Sequence, residues 1–285
     1  MIHARHRNRL PLPLPQPAVA HLRRSYSESR FGQMHLWTAY PSGGGFDERT
    51  TLICLHHAGG SGRWFAPMLL ELGQDRSIYA PDLPGHGSSE AAHKAGVAEY
   101  AAAVGDFLDS MRLRSVDLFG HQFGAQVAVE LAITRPQQVR RVMLWGVPTS
   151  AQQDRRATPL TPANGPGASD DGSAVIEEWR RLLERRGPGE PLAALAEDFG
   201  DRLRAGANGL RACGAMYDYP SLERLPLVRQ QTLVLRLRDE FWEQAPRTRT
   251  LLPNGSMLDL PDYGAGFLSA APQRFAAVAR EFLDR

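Results

Sequence analysis

Gly120-His121-Gln122-Phe123-Gly124 is the stretch that decides the fold of this 285-residue chain. It has the spacing of a nucleophile elbow, G-x-S-x-G, a sharp strand-to-helix turn that holds its middle residue in a strained backbone conformation. The glycines keep the strand and the helix from colliding. The middle residue here is glutamine, and a carboxamide cannot be activated by losing a proton as a serine hydroxyl can. The stretch therefore predicts a fold and argues against the motif's usual reaction.

Strands and helices alternate on both sides of this elbow. The short apolar run at residues 51–55 is typical of a strand buried on both faces. Residues 125–134 have helical spacing, and residues 139–145 are expected to form the next strand. A pair of antiparallel strands is expected within residues 25–40. The alternation predicts an α/β fold, with a mostly parallel sheet flanked by helices.

The pattern changes between about residues 148 and 226. Residues 158–172 are rich in Pro, Gly, Asn, Asp and Ser and predict a loop. Residues 174–186 predict an amphipathic helix, and two more helical stretches follow. We therefore expect a core domain of residues 25–148 and 227–285, a small helical cap at residues 149–226, and a basic, proline-rich tail at residues 1–24.

Composition limits the classes of function. A net charge of +2 is too small to predict nucleic-acid binding or adsorption to a membrane. Cys54 and Cys213 are far apart, which suits a reducing compartment and predicts no disulfide framework. No apolar run is long enough to cross a bilayer, and the first twenty residues lack the apolar segment of a secretory signal. We predict a cytoplasmic protein with no nucleic-acid or membrane partner.

From about Tyr26 to Arg285 the chain resembles the α/β-hydrolase superfamily. Three segments carry the resemblance, in the family's order: HHAGG at residues 56–60 after a strand, DLPGHGSS at residues 82–89, and the elbow. The resemblance implies an α/β-hydrolase fold with a cap. It also implies a site with a nucleophile, an acid and a histidine in that chain order.

On this resemblance the nucleophile position falls on Gln122. The acid falls on Glu240 or its neighbour Asp239, after the strand at residues 232–235. An acid left without its histidine would be buried, with a raised pKa unless it is paired.

The resemblance places the histidine in the loop at residues 261–267, where Ala265 or Gly266 stands instead. All nine histidines lie at or before His121. The site is therefore expected to lack both the serine and the histidine.

The part of the site that binds the electrophile depends on backbone groups. The resemblance implies an oxyanion hole formed by the N–H groups of Phe123 and Ala58, which side-chain changes leave intact. His57, in the loop at residues 56–60 that also contains Ala58, is a candidate acid or base near neutral pH. His121 is either a packing residue or a base. Trp242 and Tyr263 either line the pocket or pack in the core.

Three functions stay open. The first is an enzyme that acts by non-serine chemistry (lyase, isomerase, cyclase or water-mediated hydrolysis) on a small carbonyl-containing molecule under the cap. Gln122 and His57 would be its polar contacts, with Glu240 acting through water. The second is a catalytically inactive pseudo-hydrolase that binds a ligand or a partner, and a serine hydrolase with a displaced triad is a third reading. No cofactor or metal is predicted, and the sequence leaves a homo-oligomer open.

Overall fold

The computed structural model describes residues 20–42, 49–92, 96–149 and 169–285. The predicted tail up to residue 19 and most of the predicted loop at residues 158–172 lie outside these ranges. A sheet in the order β1-β2-β4-β3-β5-β6-β7-β8 forms the centre. Its strands are β1 Arg23–Ser29, β2 Gly32–Ala39, β3 Arg49–Leu55, β4 Arg76–Pro81, β5 Val116–His121, β6 Val139–Trp145, β7 Gln231–Leu237 and β8 Gly255–Leu260.

The direction of the strands confirms the predicted sheet. β1 pairs antiparallel with β2, and β2 pairs antiparallel with β4. The neighbours from β4 through β3, β5, β6 and β7 to β8 are all parallel. Because parallel strands end at the same edge, the loops after β3, β5, β7 and β8 meet there.

Helices cover both faces of the sheet. They are α1 Ala66–Leu72, α2 Val97–Ser110, α3 Phe123–Thr134, α4 Ser173–Glu184, α5 Leu192–Asp218, α6 Ser221–Arg224, α7 Ala245–Leu251, α8 Phe267–Ala270 and α9 Pro272–Leu283. Helices α2 and α3 pack on one face and α1 and α9 on the other, each over a buried apolar cluster. Helix α7 was not predicted, because APRTRTL has too few apolar residues to show a period.

The helices α4 and α5 form a cap between β6 and β7, as predicted. Gly206, with φ 49° and ψ −123°, interrupts α5. Helix α5 contacts α2, α3 and the turn Gly62–Phe65, so the cap lies over the edge where the loops meet. Within the described ranges, no helix combines the length and the apolar character needed to span a membrane.

Candidate functional site

The elbow has the predicted strained geometry. β5 ends at His121, α3 begins at Phe123, and Gln122 between them has φ 51° and ψ −110°. A Cβ on Gly120 would lie 2.4 Å from the Gly124 carbonyl oxygen, and a Cβ on Gly124 would lie 2.0 Å from the Leu55 carbonyl oxygen. Both glycines are therefore required by the close approach of backbone to backbone.

The start of α3 presents free backbone donors. The amides of Ala125 and Gln126 both donate to the Gln122 carbonyl oxygen, at 3.0 and 3.3 Å. The N–H groups of Phe123 and Gly124, at the first turn, have no acceptor inside the helix and carry its partial positive charge. Ala58 lies in the loop after β3, the strand that neighbours β5. The predicted pair of backbone donors thus lies at one edge of the sheet.

The Gln122 side chain turns toward the loop after β7. Its Nε2 donates to Glu240 Oε1 at 3.0 Å. Glu240 is exposed, so the expectation of a buried acid is wrong for this residue. Asp239 is the enclosed carboxyl group: it accepts hydrogen bonds from the Trp145 indole and from the Phe241 amide. Burial, with the Glu240 charge adding, raises the pKa of Asp239 to about 6.

A segment of the cap fills the place where the resemblance puts the triad histidine. A Cβ on Gly266 would lie 2.3 Å from Glu190 Cβ and 2.5 Å from Glu190 Cγ and Cδ. Gly187 approaches as closely: a Cβ there would lie 3.0 Å from the Gly266 amide nitrogen. Glu190 was not predicted as a site residue, because its position depends on how the cap packs and not on a local sequence pattern.

His57 is held by a carboxylate of the cap. Its Nε2 lies 2.8 Å from Asp198 Oδ1, and Asp198 Oδ2 accepts a hydrogen bond from Arg202 Nε at 2.8 Å. Burial would raise the pKa of Asp198, but Arg202 and His57 outweigh it and hold that pKa well below the usual range. His57 is 2% exposed, and its Nδ1 has no hydrogen-bond partner among the described residues. The sequence singled out His57 but not Asp198, which is 141 positions away.

The other histidines near the elbow contact aromatic rings or hydrogen-bond to the backbone of neighbouring loops. The His121 ring stacks on Trp64 with 4.5 Å between centroids and lies 4.3 Å from Trp145. Burial lowers the pKa of His121 well below its usual value, so the ring is neutral. His56 Nε2 accepts the Leu83 amide, and its Nδ1 therefore donates to the His57 carbonyl oxygen.

A cavity of about 260 Å³ lies between the cap, the turn before α1 and the loop after β8. The residues that line it include Trp64, Leu268, Gly266, Glu190, Asp198 and Asp201. The predicted ligand contacts Gln122, His57, Ala58, Phe123, His121, Trp242 and Tyr263 do not line this cavity. Trp242 lies under the Arg236 guanidinium, and Tyr263 packs on Phe267. Roles in ligand binding for these residues stay predictions.

Trp64 and Asp198 nevertheless join the cavity to the elbow. The Trp64 ring lines the cavity and stacks on His121, and Asp198 lines it and holds His57. The His57 and His121 rings are themselves in contact, with 5.4 Å between centroids. The cavity and the strained turn are thus separated by one layer of side chains.

Comparison with known proteins agrees with this architecture. The model of the alpha/beta hydrolase family matches residues 52–278. The chain is 27% identical over 247 residues to "Putative carbamate hydrolase RutD" of Pseudomonas syringae pv. syringae, covering 82% of this chain and 93% of that protein. It is 35% identical over 116 residues, 38% of each chain, to the 2-hydroxymuconate semialdehyde hydrolase of Pseudomonas sp. strain CF600.

Solved structures share the fold. The esterase RhEst1 from Rhodococcus sp. ECU1013 superposes with a TM-score of 0.77 at 22% identity, over 92% of this chain and 98% of that one. The enol-lactonase from Burkholderia xenovorans LB400 has a TM-score of 0.74 at 16% identity, over 92% and 100%. At such identities the likeness concerns the fold alone.

Proposed function

The chain belongs to the alpha/beta hydrolase family, and on that premise we propose that it hydrolyses a small carbonyl-containing molecule through an activated water instead of a serine ester. The observation that carries the proposal is the buried pair of His57 and Asp198, 2.8 Å apart. An imidazole that donates one N–H to a carboxylate keeps a lone pair on its other nitrogen, which makes it a general base. Here that nitrogen is Nδ1 of His57.

The carbonyl group would be polarised by backbone donors. The amides of Phe123 and Ala58 supply an oxyanion hole that does not depend on the identity of the elbow side chain. The Gln122 carboxamide, which already donates to Glu240, contributes a further polar contact at the same edge. None of these groups needs to lose a proton.

The reaction then balances with water as the nucleophile. His57 Nδ1 takes one proton from water, and the resulting hydroxide forms a bond to the carbonyl carbon. The tetrahedral intermediate collapses as the bond to the leaving group breaks, and the leaving group receives a proton. Asp198 stays ionised throughout and stabilises the imidazolium.

The relatives favour hydrolysis over the other non-serine reactions. Both curated relatives are named as hydrolases, and the longer match spans 93% of the Pseudomonas syringae protein. Neither name points to a lyase, an isomerase or a cyclase. The substrate class proposed here therefore has a hydrolysable bond next to its carbonyl group.

A second function, a non-catalytic binding protein, is favoured by one observation. Glu190 and the rest of the 187–190 segment occupy the space beside Gly266. A chain that no longer needs a triad histidine can let its cap close this space, and the cavity would then hold a ligand without converting it.

Turnover by the purified protein separates these functions. We expect hydrolysis of at least one member of a panel of small esters, lactones and carbamates. His57→Gln and Asp198→Asn should each lower kcat/KM by about 100-fold or more, the usual contribution of general acid–base catalysis. Glu177→Gln changes an exposed carboxylate of the same cap and is the matched control.

Three other results would speak against the water mechanism. Unchanged turnover in both His57→Gln and Asp198→Asn would remove the assigned base. Covalent labelling of a serine by a fluorophosphonate probe would show that the nucleophile is a serine and not water. No turnover on any substrate, together with thermal stabilisation by a small molecule, would support the binding protein instead.

A further inference from the structure

We propose that Arg202 of the cap is a positioning residue for the base. Its guanidinium keeps Asp198 ionised and in place, so that the His57 ring carries its proton on Nε2 and leaves Nδ1 free to accept one. This inference rests on the proposed hydrolysis, in which His57 Nδ1 is the base, and it explains what keeps that nitrogen unprotonated.

Arg202 is in direct contact with the carboxylate that holds His57. Its Nε donates to Asp198 Oδ2 at 2.8 Å, and the other carboxylate oxygen, Oδ1, lies 2.8 Å from His57 Nε2. Arg202 and Asp198 lie one turn apart on α5, so their side chains leave the helix on the same face. The Asp198 side chain is 10% exposed and that of Arg202 is 18% exposed. Guanidinium, carboxylate and imidazole therefore form a continuous chain that is largely shielded from water.

Two further contacts fix the orientation of the guanidinium. A Cβ on Gly59 would lie 3.4 Å from Arg202 Cγ, so the arginine stem packs against the loop that contains His57. On the side of α4, Arg202 Nη1 lies 3.6 Å from Glu178 Oε1, and the Glu178 side chain is 2% exposed. Held by the loop, by Glu178 and by Asp198, the guanidinium is positioned between the two cap helices and the core.

The charge of Arg202 decides which way the hydrogen bond between Asp198 and His57 runs. Burial favours the protonated carboxyl group, but Arg202 and His57 hold the pKa of Asp198 well below its usual range. An ionised carboxylate can only accept, so the proton of this hydrogen bond belongs to His57 Nε2. A protonated Asp198 would instead donate to Nε2, and the proton of the neutral ring would then lie on Nδ1. In that tautomer Nδ1 could not take a proton from water.

Asp201, on the same helix, has the opposite shift. It accepts a hydrogen bond from Ser61 Oγ at 2.6 Å and lines the same cavity as Asp198. Burial, with the charges of Asp198 and Asp82 adding, raises the pKa of Asp201, and the charge of Arg204 opposes this only in part. Among the residues that the structure describes, no arginine donates a hydrogen bond to Asp201. A hydrogen-bonded arginine is therefore what distinguishes the ionised carboxylate beside the base.

The pH dependence of kcat/KM tests this role. In Arg202→Met the positive charge is gone, so protonation of Asp198 and of the His57 ring both become easier, and each of them removes the base. We expect the acid limb of the profile to move upward by about 1 pH unit or more, the usual strength of a hydrogen bond to a charged group. A merely structural role would lower the rate by the same factor at every pH. Arg202→Lys keeps a positive charge, and its acid limb should stay closer to that of the wild type even if Arg202→Met folds poorly.

Arg211→Met is the matched control. Arg211 is exposed on the same helix and its guanidinium donates to Asn208, so its loss should leave the acid limb in place. The other ionisable groups that face Asp198 or Arg202 are the same in all of these variants, namely His56, His121, Glu178, Glu190, Asp201 and Cys213. A shift between the variants therefore reports on the charge at position 202.

The tautomer of His57 can be observed without turnover. Long-range ¹H–¹⁵N spectra of the protein labelled with ¹⁵N-histidine distinguish a ring protonated on Nε2 from one protonated on Nδ1, and the His57 signals are identified by their absence in His57→Gln. We expect a proton on Nε2 alone in the wild type and in Arg211→Met at neutral pH. In Arg202→Met a proton should appear on Nδ1 as the pH is lowered, about 1 pH unit or more above the point at which it does so in the wild type.

The two experiments separate this inference from the proposed function. An acid limb and a tautomer that are both unchanged in Arg202→Met, or a rate lowered equally at every pH, would overturn the inference and leave the proposed hydrolysis standing. No turnover by the wild type would overturn the proposed hydrolysis, and the tautomer spectra would then decide the inference on their own.

Discussion

The side-chain amide of Gln122 reaches Glu240 directly, with 3.0 Å between Nε2 and Oε1. The residue at the nucleophile position is thus bonded to the residue at the acid position, and no histidine stands between them. A neutral amide bonded to an exposed carboxylate contributes little energy, on the order of 1 kcal/mol. This hydrogen bond matters for the chemistry of the site, because neither Gln122 nor Glu240 can generate a nucleophile at the elbow.

Restoring the serine alone should therefore not restore serine chemistry. In Gln122→Ser the hydroxyl would have no imidazole in hydrogen-bonding position, because His121 is stacked on Trp64 and His57 is held by Asp198. We expect no labelling of residue 122 by a fluorophosphonate probe. Labelling confirmed by mass spectrometry would reveal a base that the structure does not place there.

The strain at Gln122 should be measurable as stability. With φ 51° and ψ −110° the residue occupies a region that costs about 1–3 kcal/mol for a side chain and little for glycine. We expect Gln122→Gly to raise the free energy of unfolding by about 1 kcal/mol or more relative to Gln122→Ala, in urea titrations. Both variants lose the Glu240 contact, so their difference isolates the backbone. Equal stabilities would mean that this turn is not strained.

Replacing an elbow glycine by alanine should instead lower the stability of the protein. Gly124→Ala would place a Cβ 2.0 Å from the Leu55 carbonyl oxygen. Because this atom belongs to the backbone of a central strand, it cannot move away without a large cost in free energy. We expect a loss above roughly 3 kcal/mol, or failure to fold. Gly214→Ala is the control, because this exposed position inside α5 has no atom within 4 Å of the added Cβ. That variant should gain up to about 1 kcal/mol from helix propensity.

These contrasts show which features a sequence can predict. The elbow and the alternating strands were predictable because sterics between adjacent elements and the period of apolar residues are local properties. The pair of antiparallel strands was confirmed for the same reason. Helix α7 was missed because its seven residues carry no apolar period.

The cap's contribution to the site was not predictable. Asp198 and Glu190 lie in a stretch that the sequence shows only as helical or as a connection, and their partners His57 and Gly266 are far away along the chain. Such contacts depend on how α4 and α5 settle on the core. The exposure of Glu240 and the partial burial of Asp239, which are adjacent residues, also follow from tertiary packing.

Asp239 predicts a dependence of stability on pH. Burial raises its pKa to about 6, so the folded state binds its proton more tightly than the unfolded state does. Its stabilising contribution is complete below the unfolded pKa and is lost as the pH rises through about 6. The loss is at most roughly 3 kcal/mol for a shift of this size.

Asp239→Asn removes this titration and is the reference variant. We expect the free energy of unfolding of the wild type, relative to Asp239→Asn, to be lower at pH 7.5 than at pH 4.5. Urea titrations at the two pH values measure it, and the other titrating groups cancel in the difference. A difference that stays constant would show that Asp239 ionises normally.

The contact between Gly266 and Glu190 can be tested by a double-mutant cycle. Gly266→Ala places a methyl group 2.3 Å from Glu190 Cβ, which is not the flexible end of a side chain, so the 187–190 segment must shift. We expect a cost of about 1–3 kcal/mol, the usual penalty of overpacking. In a Glu190→Gly background the obstructing atoms are gone, and the same substitution should cost at least about 1 kcal/mol less. Because Glu190→Ala would retain the Cβ, it should give much less relief than Glu190→Gly. Equal costs of Gly266→Ala in the wild type and in Glu190→Gly would mean that the cap does not occupy the place of the missing histidine.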